Sequence, residues 1–412
     1  MGACLIQQRG MSEFSVPSTT HIRRFLASPA GGASVLLLAS LLGLVLANSS
    51  WASGYGTLIT TPMKLPILGE RGPENIDAWV SDGLMTLFFL VVILEIKKEI
   101  VSGHLSSLRS IALPLIGALG GMIVPALTYL LVTCDHPEAT RGWAVPVATD
   151  AAFTLPIILA LGRHVSPGAR AWLMALAIFD DVLGIVVIAL FYGSALYWPG
   201  LIAVVIVTAA LVGANRIGIR TLWSYGIGCV LLWVALLDAG LHPTLAGVIT
   251  GLCLPAVTSG MDARQATPLD RTSSALTPFV TWVVLPLFGF MNVGVSLAGV
   301  HPDMMLEAAP LGIILGLIVG KPVGIFGITM LSTRLKIATL PAETPTGMLF
   351  GLSLLCGIGF TISLFIANLA FSGSDLVTPA KMGIFAGSVL SALMGWLWLR
   401  FLSQHNRLPP HS

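Results

Sequence analysis

Long apolar runs alternate with short polar connections from residue 33 to residue 402. Each run holds roughly 16–25 residues, and a helix of that length crosses about 30 Å of hydrocarbon. The pattern predicts an all-α polytopic membrane protein. We place twelve spans at about 33–48, 77–100, 110–133, 143–162, 171–193, 199–215, 221–238, 241–255, 276–298, 308–332, 346–370 and 379–402.

The first run follows Arg23 and Arg24 and precedes the sequence ANSS, an arrangement that a signal peptide also has. Because many further runs follow, we interpret it as the first membrane span. Residues 33–402 then form one transmembrane domain. Residues 1–32 and 403–412 are predicted to be cytoplasmic tails.

The basic residues support this count of spans. With the N-terminus in the cytoplasm, the inner segments hold sixteen of the 21 Lys and Arg residues and the outer segments hold four. Lys321 remains, inside the tenth span. Basic residues accumulate in the cytoplasmic connections of membrane proteins, whereas a wrong count would mix the two sets. Both termini are therefore predicted to be cytoplasmic.

Composition excludes several classes of protein. Only 10% of the residues are charged and 55% are hydrophobic, whereas soluble domains have about 25% charged residues. The five cysteines show no CxxC spacing, which argues against a disulfide framework or a zinc site. The chain has no GxxxxGK[ST] motif, so nothing indicates ATP hydrolysis.

Two adjacent carboxylates lie inside an apolar run, in the sequence AIFDDVLGIVV at 177–187. An aspartate at the centre of a membrane helix costs about 2.5–3.5 kcal/mol, and the neighbouring Asp180 and Asp181 also repel each other. Such a pair lowers its energy by taking up protons or by binding a hard cation through its oxygens. Competition between the two for one site is the chemical basis of exchange.

Asp150 near the middle of the fourth span and Lys321 near the middle of the tenth add to this cluster. One alternative is that these charges form static pairs, for example Lys321 with Asp180, that only hold helices together. However, three acids and one base are not neutral as a static set. The excess negative charge favours a mobile cation.

Two spans carry helix-breaking residues at corresponding places. Pro146 precedes Asp150 in the fourth span, and Gly357 and Gly359 weaken the eleventh. These spans are central in the triplets 3-4-5 and 10-11-12, which run in opposite directions. Interrupted helices in inverted repeats indicate a transporter site. Asp150 is suited to offset the positive ends of half-helices, and Lys321 the negative ends.

The connection at 49–76 is the one long outer segment. Its PMKLPILG sequence and the following ERGPEN are compatible with a small outer β-hairpin lying on the membrane. An irregular loop explains the same residues equally well.

The sequence resembles the NhaA-type bacterial Na⁺/H⁺ antiporters, a family with inverted repeats. The resemblance covers about residues 24–402. It is carried by GGMIVPAL at 120–127, WAVPVATDAAF at 143–153, LMALAIFDD at 173–181, HPTLAGVI at 242–249, LPLFGFMNVGVSL at 285–297, PLGIILGLIVGKPVGI at 310–325 and LCGIGFTISLFIA at 355–367.

The resemblance implies roles for particular residues. Asp180 and Asp181 match the pair that binds the cation and the proton, and Lys321 matches the lysine that pairs with the first aspartate. Thr149 and Asp150 match the TD sequence where the interrupted helices cross. We therefore predict a metal site of Asp180, Asp181, Thr149 and Asp150, supported by Lys321.

Three charged residues in LEIKKEI match positions tied to pH control at the cytoplasmic opening: Glu95, Lys98 and Glu99. The resemblance also implies a mobile core, a homodimer formed partly through residues 49–76, and a place in the bacterial inner membrane. No resident cofactor and no nucleic-acid partner are expected.

Some positions depart from the family pattern. The inner loop at 255–275 has no histidine and no basic run, and TPF stands at 277–279 where HPW is common. FMNVGV replaces FANAGV, and DDVLGI replaces DDLGAI. The pH response and the cation affinity are the properties that these departures would change.

The favoured function is secondary transport of Na⁺, and of Li⁺, out of the cell in exchange for protons. An exchanger or symporter of organic anions on a related fold is the first alternative, although paired aspartates disfavour an anionic cargo. An intramembrane aspartyl protease needs two acids from different helices, whereas neighbours on one helix point about 100° apart. A channel is a further alternative. It would need no competition between the proton and the cation, so an assay of proton coupling distinguishes it from an exchanger.

Overall fold

The computed structural model describes residues 28–405, except 67, 69–71, 103–107, 163–164, 194, 257–266, 298–300 and 342–343. Residues 1–27 of the predicted tail at 1–32, residues 406–412 of the predicted tail at 403–412, and residues 257–266 of the loop at 255–275 lie outside the described residues. The helices run in chain order as α1 (Pro29–Ala47), α2 (Ala52–Thr60), α3 (Ile76–Val101), α4 (Leu108–Val132), α5 (Pro137–Val147), α6 (Ala151–Ala160), α7 (Pro167–Phe191), α8 (Trp198–Ile217), α9 (Leu222–Ala239), α10 (Leu245–Cys253), α11 (Pro268–Val293), α12 (Ala308–Arg334), α13 (Thr346–Leu355), α14 (Phe360–Ala370) and α15 (Val377–His405).

Nine of these helices in the described part of the chain are long and apolar enough to cross a membrane. Two bent pairs, α5 with α6 and α13 with α14, raise the number to eleven if each pair is one span. The eighth predicted span, at 241–255, contains only the nine residues of α10, which rise about 14 Å. Leu254 is extended before Pro255 and ends this helix. The count of twelve spans stays a prediction.

Apolar side chains cover the outside of the helical bundle. Ile217 is 82% exposed and Trp223 is 81% exposed, on or next to α8 and α9. By contrast, the interior contains Asp150, Asp180 and Lys321, none of them more than 2% exposed. A hydrocarbon environment favours this distribution, because lipid solvates the apolar surface and polar groups gain partners inside.

Close packing of α4 against α12 brings Lys321 into the interior. A Cβ atom on Gly120 would lie 2.4 Å from the carbonyl oxygen of Gly324, and one on Gly324 would lie 2.2 Å from that of Gly120. Glycines at both positions therefore let the two backbones approach closely. A π-helical turn, Gly316–Gly320, immediately precedes Lys321. Such turns are frequent at functional sites.

The connection between α1 and α3 differs from the expected hairpin. Its first part is helix α2, and its described remainder contains one antiparallel bridge, between Pro62 and Asn75. The backbone N–H of Met63 donates to the Glu74 carbonyl at 2.9 Å. Pro62 has no N–H to extend this pairing. The described residues thus form a helix and a single bridge rather than paired strands.

Helix α2 is attached to α11 through one aromatic side chain. The hydroxyl of Tyr55 donates to the backbone carbonyl of Phe290 at 2.6 Å, and the two rings meet edge to face with centroids 5.4 Å apart. Tyr55 is 6% exposed. This contact fixes the position of the outer connection on the bundle.

We expect Tyr55→Phe to lower the free energy of unfolding by about 1–3 kcal/mol, because the Phe290 carbonyl loses its donor. Burial, with a further contribution from the charge of Asp77, raises the pKa of Tyr55 to about 12. The unfolded chain has a pKa of about 10 and releases this proton first as the pH rises. Wild-type protein should therefore lose stability between about pH 10 and 12, and Tyr55→Phe should lack this contribution.

Thermal unfolding in detergent across this pH range measures both effects. Thr57→Val, an exposed change on the same helix, is the control. A Tyr55→Phe protein that unfolds like the control at neutral pH and still shows the alkaline fall would contradict the assignment.

Candidate functional site

Two interrupted helices meet in the interior of the bundle. Helices α5 and α6 are bent by 41° at a break at 148–150, and α13 and α14 by 47° at a break at 356–359. The last seven residues of α5 are a 3₁₀ helix that contains Pro146, followed by the extended Ala148. In the second break, a Cβ on Gly357 would lie 2.3 Å from the Leu317 carbonyl oxygen. Proline and close packing thus account for the interruptions.

The two breaks satisfy each other's backbone groups. The N–H of Asp150 donates to the carbonyl of Ile358 at 2.6 Å. The hydroxyl of Thr149 donates to the carbonyl of Cys356 at 2.8 Å. Unpaired backbone groups are costly where water is absent. Each break therefore depends on the other for these hydrogen-bond partners.

One carboxylate serves the N-terminal ends of two helices. Asp150 accepts from the N–H of Ala152 at 3.0 Å, and so caps α6. Its second oxygen accepts from the N–H of Thr361 at 2.8 Å and from the Thr361 hydroxyl at 2.6 Å, at the start of α14. Helix N-termini carry a partial positive charge that a carboxylate stabilises. Asp150 thus offsets both ends at once.

Lys321 serves the opposite end of a helix. Its ammonium donates to the carbonyl of Val147, the last residue of α5. The same ammonium pairs with Asp180 at 2.6 Å, and both side chains are 0% exposed. A cation stabilises the partial negative charge of a helix C-terminus. Lys321 therefore links the break in α5 to α7.

Both aspartates of the pair retain an oxygen without a hydrogen-bond partner among the described residues: Oδ1 of Asp180 and Oδ1 of Asp181. Because neighbours on a helix point about 100° apart, Asp180 faces Lys321 while Asp181 lines a cavity. This inner cavity has a volume of about 620 Å³, and Asp150 and Glu95 also line it. Three carboxylates thus face one space.

The inner end of the molecule is the end that the charge distribution predicts to face the cytoplasm. Glu95 lines the inner cavity from α3, and Lys98 pairs with Asp270 at the start of α11 at 3.3 Å. Glu99 is half-buried on the same helix. Thr277 and Pro278, where the chain departs from the HPW pattern, also line the cavity.

Two contributing residues were not singled out from the sequence. Lys97 donates to the carbonyls of Leu252 and Leu254 at 2.5 and 2.6 Å and so covers the end of α10. Thr361 holds Asp150. Its place just after two glycines in GIGFT at 357–361 is a signal for a helix start. No pattern in LEIKKEI separates Lys97 from Lys98.

The structure brings together Asp180 and Lys321, and it brings Asp150, Asp181 and Glu95 to one cavity. Thr149 and Asp150 direct their polar groups to the helix ends, and their part in binding a cation stays a prediction. Among the described residues no group of three or more His, Cys, Asp and Glu side chains is arranged to hold a metal ion. Carboxylate oxygens are ligands for a hard cation and also bind protons.

Comparison with known proteins gives the class. A family model described as Na⁺/H⁺ antiporter 1 matches residues 23–399. The chain therefore belongs to this family, which confirms the resemblance seen in the motifs, and it is a multi-pass membrane protein.

Relatives described as Na⁺/H⁺ antiporter NhaA extend the match. The protein of Gluconacetobacter diazotrophicus is 78% identical over 95% of this chain and 99% of its own length. The protein of Zymomonas mobilis is 58% identical over 92% and 97% of the two chains. One from Escherichia coli is 44% identical over 92% and 98%.

A solved structure resembles the fold. The sodium proton antiporter MjNhaP1 from Methanocaldococcus jannaschii at pH 8 aligns with 93% of this chain and 98% of that chain. The TM-score is 0.55 at 14% sequence identity. This likeness concerns the fold alone.

We expect Lys321→Ala to lower the free energy of unfolding by about 3–5 kcal/mol, because Asp180 would remain as an unpaired buried charge. Lys64→Ala is a matched control. It breaks the pair of Lys64 with Glu74, whose side chains are 58% and 65% exposed, and should cost about 0–1 kcal/mol.

A double variant, Lys321→Met with Asp180→Leu, should recover part of the lost stability, because apolar replacement of a buried pair is often neutral while the Val147 carbonyl still lacks its donor. Thermal unfolding of the purified proteins compares them. Equal stability of Lys321→Ala and Lys64→Ala would show that the buried pair does not hold the fold.

Proposed function

We propose that the chain is a secondary transporter that exchanges Na⁺, and also Li⁺, from the cytoplasm for external protons. The observation that carries the proposal is the pair of unpartnered oxygens on Asp180 and Asp181, with Asp181 facing the inner cavity. Membership of the antiporter family supports it. The protein is then a transporter rather than an enzyme, and no bound cofactor takes part.

Competition for the same oxygens couples the two fluxes. Na⁺ arrives through the inner cavity and binds to the carboxylate oxygens of Asp181 and Asp180. Protons held there leave to the cytoplasm, because an oxygen that binds the cation cannot keep its proton. After the site opens outward, external protons displace Na⁺. Two titrating aspartates for one cation make the exchange electrogenic.

The pair of Lys321 with Asp180 positions the site. The ammonium group of Lys321 donates to one oxygen of Asp180 at 2.6 Å, and the other oxygen of Asp180 remains for the cargo. Asp150 supports the crossing through Thr361, and it adds negative charge to the cavity that a cation approaches. In this proposal the ends of the interrupted helices keep their partners while the cargo changes.

The finer features of the family belong to the same proposal. The chain crosses the bacterial inner membrane twelve times with cytoplasmic termini, with inverted repeats around spans 3–5 and 10–12. Residues 49–76 contribute to a homodimer, and Glu95, Lys98 and Glu99 adjust the response to pH. The protein then serves sodium and pH homeostasis. An organic anion as cargo fits poorly, because in the described part of the chain the ionisable side chains that line the inner cavity are the acidic Glu95, Asp150 and Asp181.

Asp181→Asn should abolish Na⁺-driven proton movement, because an amide does not alternate between a proton and a cation. Asp180→Asn should have the same or nearly the same effect. Asp303→Asn, in an exposed position on the connection before α12, is the control and should exchange normally. The assay is the collapse of a pH gradient in inverted vesicles on addition of Na⁺, Li⁺, K⁺ or Ca²⁺. Near-normal exchange by Asp181→Asn would exclude the site.

When the pH is lowered, the apparent affinity for Na⁺ should fall. The expected decrease is about tenfold per pH unit for each proton that Na⁺ must displace. Calorimetric titration with Na⁺ at two pH values measures it. Asp181→Asn is the negative control and should lose the binding heat. A dissociation constant that does not change with pH would indicate separate sites for the proton and the cation.

A further inference from the structure

The charged residues of the site leave part of the break at 356–359 uncovered. Asp150 accepts from the N–H of Thr361, the second residue of α14. The N–H groups of Gly359 and Phe360 come just before it. The first N–H groups of a helix have no partner inside that helix. In a region with little water, each of them needs an acceptor from another part of the chain.

Two serines of α15 supply partners at both ends of this break. The hydroxyl oxygen of Ser388 accepts from the N–H groups of Gly359 and Phe360, each at 3.3 Å. The hydroxyl of Ser391, one turn further along α15, donates to the carbonyl of Leu354 at 2.6 Å. Ser388 is 3% exposed and Ser391 is 0% exposed. Ser388 thus covers the start of α14, and Ser391 covers the end of α13.

The two serines use opposite poles of the hydroxyl group. Ser388 offers its oxygen, which is partially negative, to the positive start of α14. Ser391 offers its hydrogen, which is partially positive, to the negative end of α13, where the Leu354 carbonyl also accepts from the N–H of Gly357 at 3.0 Å. Each serine therefore reduces the charge of the helix end beside it. Loss of either hydroxyl would change the local potential, and the two changes have opposite signs.

The break that these serines cover lies beside the site. Its carbonyls at Cys356 and Ile358 accept from the hydroxyl of Thr149 and from the N–H of Asp150. Asp150 in turn lines the inner cavity together with Asp181. In the predicted inverted repeats, α15 is the counterpart of α7. It carries neutral hydroxyls beside its break, whereas α7 carries the paired carboxylates.

We infer that Ser388 and Ser391 are positioning residues that set the strength of cation binding at the aspartates, through the ends of α14 and α13. The inference rests on the proposed function and adds residues that determine the affinity of the same site. Among the described residues that line the inner cavity, neither serine occurs. Each serine therefore acts on the cation through the helix end that it covers.

The Na⁺ dependence of exchange distinguishes the two signs. Purified protein in liposomes is assayed over a range of Na⁺ concentrations at one alkaline pH, where protons compete least. Ser388→Ala should raise the half-saturating Na⁺ concentration about two- to fivefold, because the start of α14 becomes more positive. Ser391→Ala should lower it by a similar factor, because the end of α13 becomes more negative. The maximal rates should stay within about twofold of wild type.

Ser353→Ala is the matched control. Ser353 lies on α13 and is 0% exposed, and its hydroxyl donates at 2.8 Å to the carbonyl of Leu349, one turn earlier in the same helix. Its loss should leave the half-saturating Na⁺ concentration unchanged. Ser388→Thr keeps the hydroxyl and should keep the wild-type value. A role in stability alone would shift both alanine variants of α15 in the same direction.

Shifts in the same direction for Ser388→Ala and Ser391→Ala, or values equal to that of Ser353→Ala, would overturn the inference. If an alanine variant does not reach the membrane, the corresponding cysteine variant replaces it. A thiol is a weak donor and a weak acceptor, so the expected sign of the shift is the same.

Calorimetric titration with Na⁺ separates this inference from the proposed exchange. Wild-type protein that binds Na⁺ without Na⁺-driven proton movement would refute the exchange. The dissociation constants of Ser388→Ala, Ser391→Ala and Ser353→Ala would then still decide the role of the two serines, by the same opposite shifts.

Discussion

The ends of the interrupted helices need partners in a region that has little water, and the rest of the site depends on this constraint. One carboxylate, Asp150, takes the N-terminal ends of α6 and α14. One ammonium, Lys321, takes the C-terminal end of α5. Unpaired, these groups would each be costly in hydrocarbon. The crossing forms because α5, α6, α13 and α14 share the few charged groups available.

The same arrangement separates structural charges from those available for transport. Asp150 directs its oxygens to the starts of α6 and α14. Lys321 directs its ammonium group to the end of α5 and to Asp180. By contrast, Oδ1 of Asp181 and Oδ1 of Asp180 have no hydrogen-bond partner among the described residues. A site that binds and releases cargo without disturbing its helices needs this division. The aspartates therefore carry the exchange in our proposal, and the helix ends remain covered throughout.

Much of this architecture follows from the sequence, because long apolar runs and buried charges are strong signals in a membrane protein. Asp180, Asp181, Asp150 and Lys321 stand out since each costs free energy unless it is used. The extent of α10 was not predictable, because apolar composition does not show that the helix begins only at Leu245 and ends before the extended Leu254. The sequence around Thr361 does not indicate which group its N–H and hydroxyl contact. Its contact with Asp150 joins residues 211 positions apart.

The secondary structure of the outer connection could not be predicted from the sequence for a related reason. Its composition suits a hairpin, but the choice between strand and helix depends on packing against α11, which Tyr55 provides. Lys97 is similar. Its place on α3 gives no sign that the carbonyls at the end of α10 lie beside it. Local pattern specifies which segments are helical, whereas these contacts arise from tertiary packing.

The glycine contact between α4 and α12 has a consequence for how the site moves. At Gly120 and Gly324 the two backbones approach so closely that a side chain on either residue would clash with the carbonyl group of the other. Lys321 lies on α12 one turn before Gly324. The contact of the two glycines therefore fixes the position of Lys321 relative to α4. The two helices then behave as one block, and α7 is tied to that block through Asp180. In the proposed exchange, access to the aspartates then changes by displacement of this block against the surrounding helices, with the ion pair carried inside it.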